Sequence, residues 1–111
     1  MTDILVHKVA LITGAGRGIG KAIARGMAEA GADLLITDLD EKSLQKTADE
    51  ISGAGTKIVP LAFNINDMNA MKKAVGKAVA EFGKIDVLIN SAGINIRKHF
   101  LEVTEESFEG D

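Results

Sequence analysis

The residues best suited to chemistry form one glycine-rich stretch, Thr13-Gly14-Ala15-Gly16-Arg17-Gly18-Ile19-Gly20. Glycines let a backbone come close to a ligand, and the N–H groups at a helix start attract an anion. A turn of this kind between a strand and a helix therefore suits a pyrophosphate. The spacing excludes two familiar motifs. A strict G-x-G-x-x-G places Ile19 at the last position counted from Gly14, and Lys21 counted from Gly16. A P-loop fails because Ala22 follows Lys21, where a magnesium-binding Ser or Thr would stand. The spacing that fits is T-G-x-x-x-G-x-G, with Gly20 allowing the helix to pack closely on the strand. The bare alternative is a tight strand-to-helix turn that binds nothing.

Asp38 is the second candidate. It closes the next apolar run, where a carboxylate can accept hydrogen bonds from both ribose hydroxyls of an adenosine. The same charge would repel a 2′-phosphate in a partly desolvated site. This favours NAD, with NADP the weaker expectation. Arg17 pulls the other way, and the two side chains could also pair with each other. The alternative for Asp38 is a plain turn aspartate before Asp40.

Composition narrows the remaining classes. The 111 residues suffice for one domain, with 46% apolar and 26% charged residues, ordinary for a soluble protein. A net charge of −3 and the lack of any basic stripe argue against a nucleic-acid partner. No apolar stretch is long enough to span a membrane, and no charged, then apolar, leader precedes the first strand. The absence of cysteine excludes a disulfide scaffold, a thiolate zinc site and a thiol nucleophile, and fits a reducing, cytoplasmic setting. No carboxylate–histidine grouping has metal-ligand spacing. His7 and His99 read as solvated end and loop residues. The chain contains no tyrosine.

The elements that must hold these residues alternate. Apolar runs predict strands over 8–13, 33–39, 57–63 and 85–90. Pro60 places the third strand toward a sheet edge. The first helix should turn Ile23, Met27 and Ala30 inward and stop at Gly31. Asp40 caps a second helix with Leu44, Ala48 and Ile51 inward, ended by Gly53 and Gly55. Asp67 caps a third, with Met71, Val75, Ala78, Val79 and Phe82 inward, stopped by Gly83. Thr104 would cap a fourth. Strict strand–helix alternation implies an α/β fold: a Rossmann-type open parallel sheet with helices on both faces, strand order 3-2-1-4. Ligands then bind beyond the strand carboxyl ends at the switch point between the first and fourth strands.

With these elements in place, TGAGRGIG resembles the cofactor motif of the short-chain dehydrogenase/reductase family. Asn90-Ser91-Ala92-Gly93 after the fourth strand is similar to that family's N-N-A-G motif, departing at Ser91. The resemblance implies that Gly14, Gly18 and Gly20 shape the pyrophosphate site, with Gly16, Ile19 and Leu39 in the same cofactor set. It implies that Asn90, Ala92 and Gly93 line the nicotinamide side and brace the central strands. A basic residue at the position of Arg17 often holds a 2′-phosphate in this family. Asn64 stands where the family usually has Asp against the adenine amino group, and an amide oxygen can accept the same bond. Ile65 would pack on the adenine ring.

The family's tyrosine, lysine, serine and asparagine for hydride transfer lie on elements beyond residue 111, so the chain reads as a truncated cofactor-binding half. No catalytic residue is expected within it, and it should be inactive alone. The segment 94–108 resembles the gluconate 5-dehydrogenase and deoxygluconate dehydrogenase branch. That implies an alcohol or ketone substrate such as a sugar acid, and a homo-oligomeric full-length enzyme. Arg97 and Lys98 follow the second motif at the carboxyl end of the fourth strand, where Arg97, by its fork geometry, could hold a substrate carboxylate; the alternative is a solvated basic pair in a surface loop. The competing readings are a non-catalytic nucleotide-binding module and a methyltransferase; the glycine spacing and the second motif argue against the latter.

Overall fold

The computed structural model describes residues 4–91. The expected positions Ala92, Gly93 and Arg97, and the helix starting at Thr104, lie outside the described residues. Within them the order is β1 (Val9–Thr13), α1 (Gly18–Glu29), β2 (Asp33–Thr37), α2 (Glu41–Ile51), a 3-10 turn (Ser52–Ala54), β3 (Ile58–Pro60), α3 (Met68–Phe82) and β4 (Val87–Asn90).

All pairings are parallel and the strand order is β3-β2-β1-β4. The register sets Leu11 beside Leu35 and Leu88, and Thr13 beside Thr37 and Asn90. β1 is buried along its whole length, which explains why Val9 to Ile12 are apolar in succession rather than at every second position. Alternation sends Ala10, Ile12, Leu34 and Ile36 to one face, where Ala24, Ala28, Leu44, Ala48 and Ile51 cover them. Leu11 and Leu35 go to the other, under Met71, Ala74, Val75 and Ala78. Thus α1 and α2 lie on one side of the sheet and α3 on the other.

Several expectations shift. The buried face of α1 is Gly20, Ala24 and Ala28, not Ile23, Met27 and Ala30. Ile23 and Met27 are half-buried at the margin of the core, and Ala30 is the C-cap. Small residues at the centre bring the helix axis close to the sheet, and the larger neighbours then flank the contact. The strands are also shorter than the apolar runs. β2 ends at Thr37, so Asp38 and Leu39 lie just past it. β3 keeps three residues, and past it Leu61 N–H and Phe63 N–H still donate to the Ile36 and Asp38 carbonyls (2.9 and 3.1 Å), so the nitrogen of Pro60, just before Leu61, faces away from β2. As expected from Pro60, β3 is an edge strand of the described sheet. The caps Asp40 and Asp67 each accept two N–H groups of their helices. Gly31 and Gly83 follow their helices with φ of 100° and 82°.

Candidate cofactor site

The carboxyl ends of β1, β2 and β4 and the chain after β3 converge on one cleft of about 360 Å³. Gly14, Arg17, Asp38, Leu39, Asn64, Ile65 and Ser91 line it, together with Phe63 and Asn66. Six residues chosen from the sequence, 14 to 65 in number, therefore meet in a single place. The others stand differently. Gly16 and Gly20 are buried behind the wall, Gly18 and Ile19 are exposed at the start of α1, and Asn90 is exposed at the end of β4.

Backbone conformation explains the glycine turn. Gly14 and Gly18 adopt φ of 64° and 61°, values that side chains with a Cβ rarely tolerate. Gly20 is required for room: an added Cβ would collide with the Gly14 carbonyl oxygen and the Ser91 hydroxyl, and lie 2.7 Å from the Gly14 carbonyl carbon. The turn is tied to β2 by Ala15 N–H, which donates to the Thr37 carbonyl (3.0 Å). Gly16 N–H donates to Asp38 Oδ2 (2.8 Å).

Asp38 is further fixed by Leu39 N–H, which donates to its Oδ1 at 2.7 Å, and more weakly by Asp40 N–H at 3.4 Å. The carboxylate is thus pre-oriented, with lone pairs left for other donors. Arg17 lines the same cleft, yet among the described residues it forms no ion pair with Asp38; the pairing considered from sequence does not occur. Next to it, Ser43 N–H and hydroxyl hold the Asp40 carboxyl below the usual carboxylate range, with smaller help from Lys42 N–H and the Arg17 charge.

The start of α1 differs from the other two helices. Asp40 caps α2 and Asp67 caps α3, whereas Arg17, the N-cap of α1, makes no side-chain cap and no acidic residue stands in the first turn. A Cβ at Gly18 would meet nothing within 4 Å. Uncapped N–H groups beside open space fit an anion. Leu39, 72% exposed, and Ile65 supply apolar surface at the same cleft, which fits a flat heteroaromatic ring. Asn64 is both candidate ligand and local brace, since its Oδ1 already accepts Asn66 N–H (2.9 Å). One lone pair of that oxygen remains for a nucleobase amine.

Sequence reasoning missed two contributors. Thr13 hydroxyl donates to Asn90 Oδ1 (3.0 Å). Ser91 hydroxyl donates to the Thr13 carbonyl, with the Gly14 carbonyl oxygen a further 3.3 Å contact. Together they fasten the end of β4 to the glycine turn. The departure from N-N-A-G at Ser91 was the available signal, but only the pairing of β1 with β4 gives it a partner.

A parallel sheet of order β3-β2-β1-β4, with a glycine turn after β1 and a fixed carboxylate after β2, defines a Rossmann-type fold. A short chain dehydrogenase family model matches residues 8–110, and the chain belongs to that family. It is 38% identical over 105 residues to the 2-dehydro-3-deoxy-D-gluconate 5-dehydrogenase of Dickeya dadantii (strain 3937), which covers 95% of this chain and 41% of that protein. A short chain dehydrogenase from Mycobacterium smegmatis superposes with a TM-score of 0.85 at 25% identity, over 98% of this chain and 55% of that one. A short chain dehydrogenase/reductase from Burkholderia phymatum, solved in complex with NAD, gives 0.73 at 33% identity, over 79% and 31%. The chain thus spans about two fifths of the length of the curated relative it matches.

Proposed function

We propose that this chain is the dinucleotide-binding half of an NAD-dependent oxidoreductase that interconverts alcohol and ketone groups. The observation that carries the reading is Asp38, a carboxylate oriented by backbone N–H groups on the wall of a cleft shared with the glycine turn. It would accept both ribose hydroxyls of the adenosine and repel a 2′-phosphate, so NAD is favoured over NADP. Gly14, Gly18 and the N–H groups that open α1 would take the pyrophosphate. Asn64, Leu39 and Ile65 would hold the adenine. Gly16 and Gly20 shape the turn from behind, Ile19 flanks it, and Asn90, Ala92 and Gly93 would line the nicotinamide side. Arg17 stands at the cleft as the residue that would tolerate NADP. NAD, when bound, supplies the hydride acceptor; this chain's own residues bind and orient it.

The substrate class we favour is a sugar acid, with Arg97 as the carboxylate partner, and the similarity to a 2-dehydro-3-deoxy-D-gluconate 5-dehydrogenase supports it. An arginine fork can grip both carboxylate oxygens. In a full-length enzyme, Arg97→Ala should raise KM for a sugar acid far more than for the matching neutral polyol; equal effects on both would end the sugar-acid reading. We further propose a cytoplasmic homo-oligomer acting on small molecules.

The direct test is calorimetric titration of the chain with NAD, NADP and S-adenosylmethionine. Tighter binding of NAD is expected. Preference for NADP would hand the selecting role to Arg17, and binding of S-adenosylmethionine alone would replace the oxidoreductase reading by a methyltransferase.

A further inference from the structure

We propose that Asp38 is also a positioning residue for the glycine turn, so that the ribose end and the phosphate end of the cleft form one mechanical unit. This rests on the reading of the cleft as a dinucleotide site. Gly16 is buried, and its N–H needs an acceptor inside the protein. Asp38 Oδ2 is that acceptor at 2.8 Å, across 22 residues of sequence. The other oxygen is held by Leu39 N–H, so the carboxylate cannot swing away without breaking a second bond.

The identity of Gly16 supports the same link. Its φ is not positive, unlike those of Gly14 and Gly18, so conformation does not call for glycine there. Space does. A Cβ at Gly16 would lie 2.7 Å from Asp38 Oδ2 and 3.0 Å from Ser43 Cβ. Gly16 is therefore glycine because Asp38, and behind it Ser43, come so close. An ordinary turn aspartate would explain the bonds from Leu39 and Asp40 but not a bond back to the preceding loop. Ala15 N–H on the Thr37 carbonyl adds a second tie at the same point. The turn is thereby fastened to the end of β2 at two consecutive residues.

Inorganic pyrophosphate separates this role from ribose binding, because it carries no ribose. Removing a negative charge from the cleft would by Coulomb's law alone tighten an anion. Positioning demands the opposite sign. Asp38→Ala should weaken pyrophosphate binding by about tenfold, the cost of leaving a buried donor unmet. Asp38→Asn keeps an oxygen acceptor for Gly16 N–H and should recover most of that loss. Gly16→Ala should weaken binding as well, and less so when Asp38 is already alanine, because the nearer of its two collision partners is gone and only Ser43 Cβ remains.

Equal or tighter pyrophosphate binding by Asp38→Ala overturns the proposal while leaving the ribose role of Asp38 intact. If the unmodified chain binds neither pyrophosphate nor NAD, the cofactor reading fails, and hydrogen exchange at the Gly16 amide decides the positioning role. Exchange there should rise by about tenfold in Asp38→Ala and return in Asp38→Asn; an unchanged rate refutes it. Should Asp38→Ala unfold, Gly16→Ala carries the test, and unaltered pyrophosphate affinity in that variant refutes the proposal.

Discussion

Two aspartates illustrate how differently a carboxylate can be used in this chain. Asp38 turns its oxygens toward backbone N–H groups at the rim of the cleft. Its charge, rather than its shape, is what would discriminate against a 2′-phosphate. Asp38→Asn should therefore narrow the preference for NAD over NADP by about tenfold or more, measured as a ratio of dissociation constants. An unchanged ratio would remove the charge argument. Asp86 works for the sheet. Its Oδ2 accepts Val9 N–H at 2.9 Å while its own N–H donates to the Val9 carbonyl at 2.8 Å, fixing where β4 meets β1. The Val9 N–H, then the ammonium of Lys84, hold its carboxyl below the ordinary value of 3.8. A folded value below the unfolded one means the stabilisation is fully present above the ordinary value and is lost as pH falls through the folded one. The Tm advantage of the unmodified chain over Asp86→Asn should accordingly hold near neutrality and vanish on acidification below about pH 4. A gap independent of pH would show that the charge does not contribute.

Helix α1 occupies the critical place between turn and sheet. Its packing face is Gly20, Ala24 and Ala28, and the tightest point is Gly20, where a methyl group would meet the backbone of Gly14. Backbone cannot rotate aside as a side chain can. Gly20→Ala should destabilise the chain by about 3 kcal/mol, the upper part of the usual overpacking range, and abolish nucleotide binding. Chemical denaturation and NAD titration measure the two effects, and a fully stable, NAD-binding variant would contradict this packing. Helix α3 relies on its cap. Asp67 Oδ1 accepts Asn69 N–H and Ala70 N–H at 3.0 and 3.2 Å. Asp67→Ala should cost about 1 kcal/mol without changing the cofactor preference, since the cap holds an element and not the ligand. Between helices, Lys21 and Arg25 of α1 share Glu50 of α2 at 2.6 and 3.2 Å. Such surface ion pairs are worth little individually.

At the scale of the whole chain, binding and chemistry separate. The sequence contains no tyrosine, so the general acid–base residue implied by its family is not among these 111 residues. The purified chain should bind nucleotide yet show no NAD reduction with gluconate or any other sugar acid in a spectrophotometric assay. Turnover above the buffer control would mean that another group in this chain can move the proton. The same division limits what the neighbours can teach. They share this part of the chain and its fold, and a fold by itself does not name a substrate.

The sequence by itself determined the order of elements, their stops and caps, and the general place of the cleft. Asp40, Asp67, Gly31, Gly83 and Pro60 act on their own neighbours within a few residues, and apolar runs report burial directly, so local reading suffices for them. The tertiary structure alone decided which face of α1 is buried, since Ile23 and Met27 carry the larger apolar signal while Ala24 and Ala28 allow the closer approach. It alone joined Thr13 to Asn90, Ser91 to Thr13 and Gly16 to Asp38, pairs separated by 77, 78 and 22 residues. A hydroxyl or carboxylate has no preferred distant partner in a sequence. It acquires one only when the strand order β3-β2-β1-β4 brings the carboxyl ends of three strands to the same turn.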